Sequence, residues 1–181
     1  MKLYFAYGAN LNKDSMKYRC PDAVEVMPFY LKDWRLSFSG VATILPSPGE
    51  QVPGALWAIT EACEKSLDRF ESYPTLYRKE QIQADGMEFM AYAMNHDEPW
   101  QPDINYLMTI AEGYENWSLP LEDLWSAVRT TQMETDYDLQ WSTTAGDRRD
   151  NGMEELVRME SGHDLRWLRD DRSTYRSIKT V

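Results

Sequence analysis

Every strand-like segment of this chain falls in its first half, and every long helical pattern follows or interrupts them. Residues 3–7 form a short apolar strand. Residues 24–31 and 34–39 are rich in β-branched and aromatic residues and read as a hairpin joined by Lys32-Asp33. Ala42-Thr43-Ile44 follows, Pro46-Ser47-Pro48-Gly49 is a turn by composition, and residues 52–59 read as a strand whose Gly54 permits a bulge or a close backbone approach. Residues 76–84 and 87–94 read as a second hairpin about the two-residue turn Asp85-Gly86. Thr60 is placed to cap a helix with Cys63, Leu67 and Phe70 at helical spacing on its core face. Residues 104–114 and 119–128 carry further helical patterns, with Pro120 tolerated in a first turn, and 152–159 suggests a short terminal helix. Strands first and helices after predict an α+β fold built on a small, strongly bent sheet or barrel.

With 181 residues the chain fits one domain with a small appendage. Its net charge of −11 argues against a nucleic acid or an anionic membrane as partner, since either normally calls for a basic patch. The acids are scattered and, near the C-terminus, mixed with bases, as on a solvated surface. Cys20 and Cys63 are too few and too far apart for a disulfide framework or a redox pair, and Cys63 reads as a buried thiol. No signal-like or membrane-length apolar run occurs, so a cytoplasmic setting is expected. His96 and His163 stand alone, which predicts no metal site and no Ser-His-Asp triad with Ser47 or Ser66. Neither a phosphate loop nor a dinucleotide fingerprint is present, and the tyrosines and tryptophans read as core. Chemistry, if any, should be plain proton transfer without a cofactor.

Two segments can supply it. The strand Leu3-Tyr4-Phe5-Ala6-Tyr7 breaks at Gly8-Ala9-Asn10-Leu11. Gly8 allows a positive φ and Asn10 tolerates one, so the turn can present successive N–H groups to a carboxylate or an oxyanion. The second segment is the helix end Ser66-Leu67-Asp68-Arg69-Phe70-Glu71-Ser72-Tyr73-Pro74. Pro74 disfavours helix at Tyr73, which puts Glu71 in the last turn, at the edge of the apolar face and at the negative end of the helix dipole. Burial and that dipole both raise a carboxyl pKa. Asp68, three residues earlier on the same helix, cannot form the opposed pair that a glycosidase needs.

These segments resemble the γ-glutamylcyclotransferases. The stretch from Leu3 to Leu11 is similar to that family's strand and YGSN-type loop. Ala42-Thr43-Ile44, Ser47-Pro48-Gly49, Val52, Gly54 and Trp57 are similar to its central strand region. Leu67-Asp68-Arg69-Phe70-Glu71-Ser72-Tyr73-Pro74 with Tyr77 resembles its "LD..EG.P..Y" stretch, and Leu119-Pro120-Leu121 before Leu124 its helical tail. The resemblance spans about three-quarters of the chain. It implies a small mixed β-barrel flanked by α-helices over residues 1–139, and it leaves 140–181 as a C-terminal extension.

It also implies a small γ-glutamyl substrate whose own α-amine attacks its γ-carbonyl, giving 5-oxoproline and a free amine. Glu71 would be the general base and then the acid. The backbone of Tyr7, Gly8, Ala9, Asn10 and Leu11 would grip the glutamyl group, and Tyr77 would orient it. Ala9 stands where the family has serine, Ser72 where it has glycine, and Lys79 where arginine is common. Those departures keep two other readings open: an enzyme that trims a γ-glutamyl group from a larger amide or isopeptide, and a non-catalytic binding domain of the same fold.

Overall fold

The computed structural model describes the backbone of residues 1–146 and side chains to residue 137. The expected helix at 152–159, His163 and most of the expected extension 140–181 lie outside the described residues. Met1–Gln140 form one compact unit, which contains the whole sheet.

Five strands form one mixed sheet in the order β2-β3-β1-β5-β4, where β1 is Lys2–Ala6, β2 Val24–Ser39, β3 Val41–Ile59, β4 Tyr77–Ala84 and β5 Met87–Met94. β1 lies at the centre, antiparallel to β3 and parallel to β5. The α+β class matches the sequence reading, whereas the sheet stays open, with β2 and β4 at its two edges. The expected hairpin at Lys32-Asp33 does not form. β2 runs straight through it, with Asp33 at a φ of 63° absorbing a bulge, and the chain reverses at Gly40 instead. Opposite that bulge sits the Pro-Ser-Pro-Gly stretch. Trp34 pairs with Pro46 and Lys32 with Gln51, so the turn-like residues loop out inside β3, and the Gly49 N–H donates to Asp33 Oδ1 at 2.9 Å. The turn chemistry is real, but it serves an excursion within a strand.

The β4–β5 hairpin forms as the sequence predicts, with both Asp85 (φ 49°) and Gly86 (φ 77°) left-handed, as a type I′ turn requires. Gly54 fulfils the close-approach reading: a Cβ there would lie 2.4 Å from Phe5 Cε2 and 2.5 Å from the Ala6 carbonyl.

Four α-helices flank the sheet among the described residues: α1 Lys13–Arg19, α2 Glu61–Phe70, α3 Ile104–Asn116 and α4 Leu121–Gly146. Thr60 caps α2 by accepting the Cys63 N–H at 3.2 Å. The first helix was not legible in the apolar pattern because Met16 is its one buried residue. Its signal is the N-cap Asn12, whose Oδ1 accepts the Ser15 N–H at 2.9 Å.

The core is aromatic at its centre. Phe5, Phe29 and Phe89 meet pairwise with ring centroids 5.2–5.9 Å apart, and each such buried ring is worth roughly 2–3 kcal/mol of apolar transfer. Cys20 and Cys63 are both buried and unbridged.

Candidate active site

The N-terminal turn and the end of α2 converge on one small cavity, partly open to solvent. Tyr4, Tyr7, Gly8, Ala9, Asn10 and Glu71 line it together with Ala42, Phe70, Tyr77, Tyr92 and Tyr106. Leu11 does not line it. That side chain is fully buried in the core, its N–H closes the turn on the Gly8 carbonyl at 2.9 Å, and its carbonyl accepts Trp117 Nε1–H at 2.9 Å. The Leu11 amide is therefore not available to a ligand.

Glycine's freedom is also used differently from the expectation. Gly8 has φ −114° and ψ −139°, not a positive φ, and residues Ala9–Leu11 form a single 3₁₀ turn. What the position needs is room, since a Cβ on Gly8 would stand 3.1 Å from Ala42 Cβ and 3.4 Å from the Tyr106 hydroxyl.

α3 holds the turn from behind. Asn12 Nδ2 donates to Glu112 Oε2, the Lys13 N–H donates to Asn116 Oδ1, and a Cβ on Gly113 would fall 2.5 Å from Leu11 Cβ. A helix remote in the chain thus presses directly on the bend that shapes the cavity.

Glu71 is the C-cap residue of α2. The Tyr73 N–H reaches back to the Asp68 carbonyl (2.9 Å) and the Ser72 N–H to that of Arg69 (3.3 Å), a Schellman ending in which Ser72 takes the left-handed position at φ 51°. Serine thus holds a left-handed conformation that glycine adopts without strain. The apolar face differs from expectation at one place: Cys63 and Leu67 are buried, but Phe70 is 45% exposed and carries the Arg19 guanidinium 3.7 Å from its ring centre.

The Glu71 side chain is half-buried, and burial pushes its pKa up to about 7, opposed by a hydrogen bond from Asn10 and by the charge of Arg19. The negative end of α2 acts in the same direction as burial. Asn10 Nδ2 donates to Glu71 Oε1 at 2.8 Å and to the Tyr4 hydroxyl at 2.9 Å, while Arg19 Nη1 donates to Asn10 Oδ1 at 3.0 Å.

The other walls are tyrosines, and Tyr4, Tyr7, Tyr77 and Tyr92 are buried core residues, as the sequence reading has them, as well as cavity lining. The Tyr77 hydroxyl donates to the Ala42 carbonyl at 2.6 Å, and the Tyr106 hydroxyl accepts the Ala42 N–H at 3.0 Å, so one residue of β3 is clasped from β4 and from α3. Tyr7 donates to the Tyr92 carbonyl. Tyr92 donates to Asp68 Oδ1 at 2.6 Å, and Lys79 pairs with Asp68 and Glu64 at 2.7 and 2.8 Å. Asp68 is thereby committed to a structural network. Burial raises the pKa of Tyr4, Tyr7, Tyr77 and Tyr106, so all four stay neutral at ordinary pH.

Tyr4, Ala42, Tyr92, Tyr106 and Arg19 were not singled out by the sequence. Tyr4 and Tyr92 alternate with core residues on their strands and carry no local mark. His96 is exposed, and among the described residues no cluster of His, Cys, Asp or Glu could hold a metal.

The family model described as "Gamma-glutamyl cyclotransferase, AIG2-like" matches residues 4–118, nearly two-thirds of the chain and all of the cavity's elements. The chain belongs to the AIG2-like γ-glutamyl cyclotransferase family. Proteins named γ-glutamylcyclotransferase from Bos taurus and Homo sapiens are each 32% identical to it over 138 and 139 residues, covering 66% of this chain and 73% of theirs. An ensemble-refined crystal structure of an uncharacterized human protein superposes with a TM-score of 0.57 at 27% identity, over 67% of this chain and 82% of that one. A structure described as a γ-glutamyl cyclotransferase gives 0.60 at 24% identity, over 87% and 96%, and supports the fold. No helix among the described residues of this cyclotransferase-family chain is long and apolar enough to cross a membrane.

Proposed function

We propose that the protein is a γ-glutamylcyclotransferase-type enzyme that converts a small γ-glutamyl amino acid or amine to 5-oxoproline and the free amine. One observation carries this reading. A single carboxyl group, its pKa raised by burial to about 7, lies in the same cavity as the turn at Gly8, Ala9 and Asn10.

The substrate's α-ammonium is unreactive until it loses a proton, and such groups titrate near ~8. A carboxylate of pKa about 7 is better matched to that proton than one near 4.5. Glu71, ionised, takes the proton; the freed amine attacks the γ-carbonyl carbon and its oxygen becomes an oxyanion. The carbonyl re-forms as the C–N bond to the leaving group breaks; Glu71 returns its proton to the departing nitrogen and then takes the second proton that the ring nitrogen sheds to become the neutral lactam N–H, passing it to the released amine or to solvent. Both ends of the bond-forming pair belong to one molecule, so holding the glutamyl chain folded removes most of the entropic cost. The tyrosine-walled cavity supplies that restraint, with Tyr77 fixed against β3.

The test is 5-oxoproline release from γ-glutamyl-alanine, compared with the γ-glutamyl-lysine isopeptide, by wild type and by Glu71→Gln. Release by wild type and its loss in the nearly isosteric variant are expected. Activity surviving in Glu71→Gln would remove Glu71 from the mechanism, and a folded protein inert on every γ-glutamyl compound would refute the assignment.

A further inference from the structure

Between Glu71 and the nearest cation stands one neutral side chain. Asn10 is almost fully buried, and its amide is committed on both ends: Nδ2 to Glu71 and Tyr4, Oδ1 to Arg19. A side-chain amide can sit either way round with little change in shape. The wrong way round, Oδ1 would face the Glu71 carboxylate, oxygen against oxygen. The guanidinium decides the matter, because Arg19 has only donors to offer and must be met by Oδ1.

Arg19 is itself held from three sides. It ends α1, its carbonyl accepts the Ser66 hydroxyl of α2 at 2.8 Å, and its guanidinium lies over the ring of Phe70, the residue just before Glu71. A planar cation can stack and donate at once, which an ammonium cannot do equally well.

We propose that Arg19 is a positioning residue for Glu71, acting through the Asn10 side-chain amide as a guanidinium–amide–carboxylate relay. The proposal rests on the reading of Glu71 as the base. Its two effects are geometric and electrostatic. It keeps one Glu71 oxygen pinned by Asn10 while leaving the other to meet the substrate, and it places a positive charge one residue behind the carboxylate. The other titratable groups facing Glu71 are Tyr4 of β1, Tyr7, Tyr77 of β4, Tyr92 of β5 and Tyr106 of α3, all held neutral by burial. Lys79, the cation on the far side, is occupied by Asp68 and Glu64. Burial alone would lift Glu71 higher than about 7, and Arg19 restrains it. The relay therefore keeps the base half-ionised at neutral pH instead of largely protonated.

Two variants test this, with Glu71 read directly by carboxyl ¹³C NMR and indirectly by the pH profile of kcat/KM. Arg19→Met keeps an apolar stem against Phe70 and removes the charge and the donors. Arg19→Lys keeps the charge and loses the planar stack. In Arg19→Met the Glu71 titration and the acid limb of the profile should both move up by roughly one pH unit, with Arg19→Lys in between. The corresponding loss is about fivefold in kcat/KM at pH 7, fading to parity by pH 9.

A Glu71 titration unmoved in Arg19→Met, or a loss of activity uniform across pH, overturns the relay. Should Arg19→Met not fold, an unshifted Glu71 in Arg19→Lys overturns it equally. The NMR readout needs no turnover. An inert wild type with a shifted titration would refute the proposed reaction and leave the relay standing, and turnover with an unshifted titration would do the reverse.

Discussion

The raised Glu71 pKa has a thermodynamic signature independent of any substrate. The group titrates near 4.5 in the unfolded chain and at about 7 in the fold. The native state therefore binds the proton more tightly, and the stabilisation this gives is complete below pH 4.5 and lost as pH rises through 7. At about 1.4 kcal/mol per unit, integrating the linkage from pH 5 to pH 8 gives about 2.5 kcal/mol, or about 2 kcal/mol after allowing for the solvent-facing edge of the carboxyl. Glu71→Gln keeps the shape and the acceptor for Asn10 but cannot ionise. The difference in unfolding free energy between Glu71→Gln and wild type should consequently move in favour of the variant by about 2 kcal/mol between pH 5 and pH 8. With a urea slope of roughly 2 kcal/mol per molar, that is a relative midpoint shift of about 1 M. The assay is urea unfolding of both proteins across that range by tryptophan fluorescence. A difference that stays constant with pH, or grows in favour of wild type on the alkaline side, would show that Glu71 is not destabilised as a carboxylate, and the case for its role as a neutral-pH base would fail with it.

Ser72→Gly should raise stability by about 1 kcal/mol, read as a higher urea midpoint, because Ser72 holds a left-handed φ that glycine adopts without strain; 5-oxoproline release should be unchanged. Asn10→Ala should cost about 1–3 kcal/mol by stranding the Tyr4, Arg19 and Glu71 ends of its bonds, and should move the acid limb of kcat/KM upward in the pH profile. Gly113→Ala should destabilise by about 3 kcal/mol in the same unfolding assay and weaken substrate binding as a raised KM, since its methyl group would push on Leu11 and the turn above it. Tyr77→Phe, leaving the Ala42 carbonyl without that donor, should cost about 1 kcal/mol and raise KM more than it lowers kcat.

The sequence marks Glu71 because it breaks local rules: an acid at a helix C-terminus, beside an apolar face, three residues before a proline. The Asp85-Gly86 hairpin and the Thr60 cap were equally legible, since each rests on the chemistry of two or three adjacent residues. The sheet edges were harder. Lys32-Asp33 and Pro46-Ser47-Pro48-Gly49 both have turn chemistry, and nothing local says that they face each other across one long ladder and cancel as a bulge. Arg19 and Tyr106 stayed invisible for a different reason. Each matters only through a partner on a remote element, Asn10 in one case and the Ala42 backbone in the other. The Leu11 amide was misjudged because a turn's own closing hydrogen bond uses it up, which residue type does not reveal.

The Glu71 backbone owes its place to the hydrogen bonds that end α2, all of which run backwards to residues already in the helix. The segment beyond these bonds, residues 74–76, makes no hydrogen bond to the carboxyl, which is met instead by Asn10. Changes within that segment can therefore accumulate while the carboxyl keeps its address. In such an architecture the loop after the helix can drift over evolutionary time without displacing the acid.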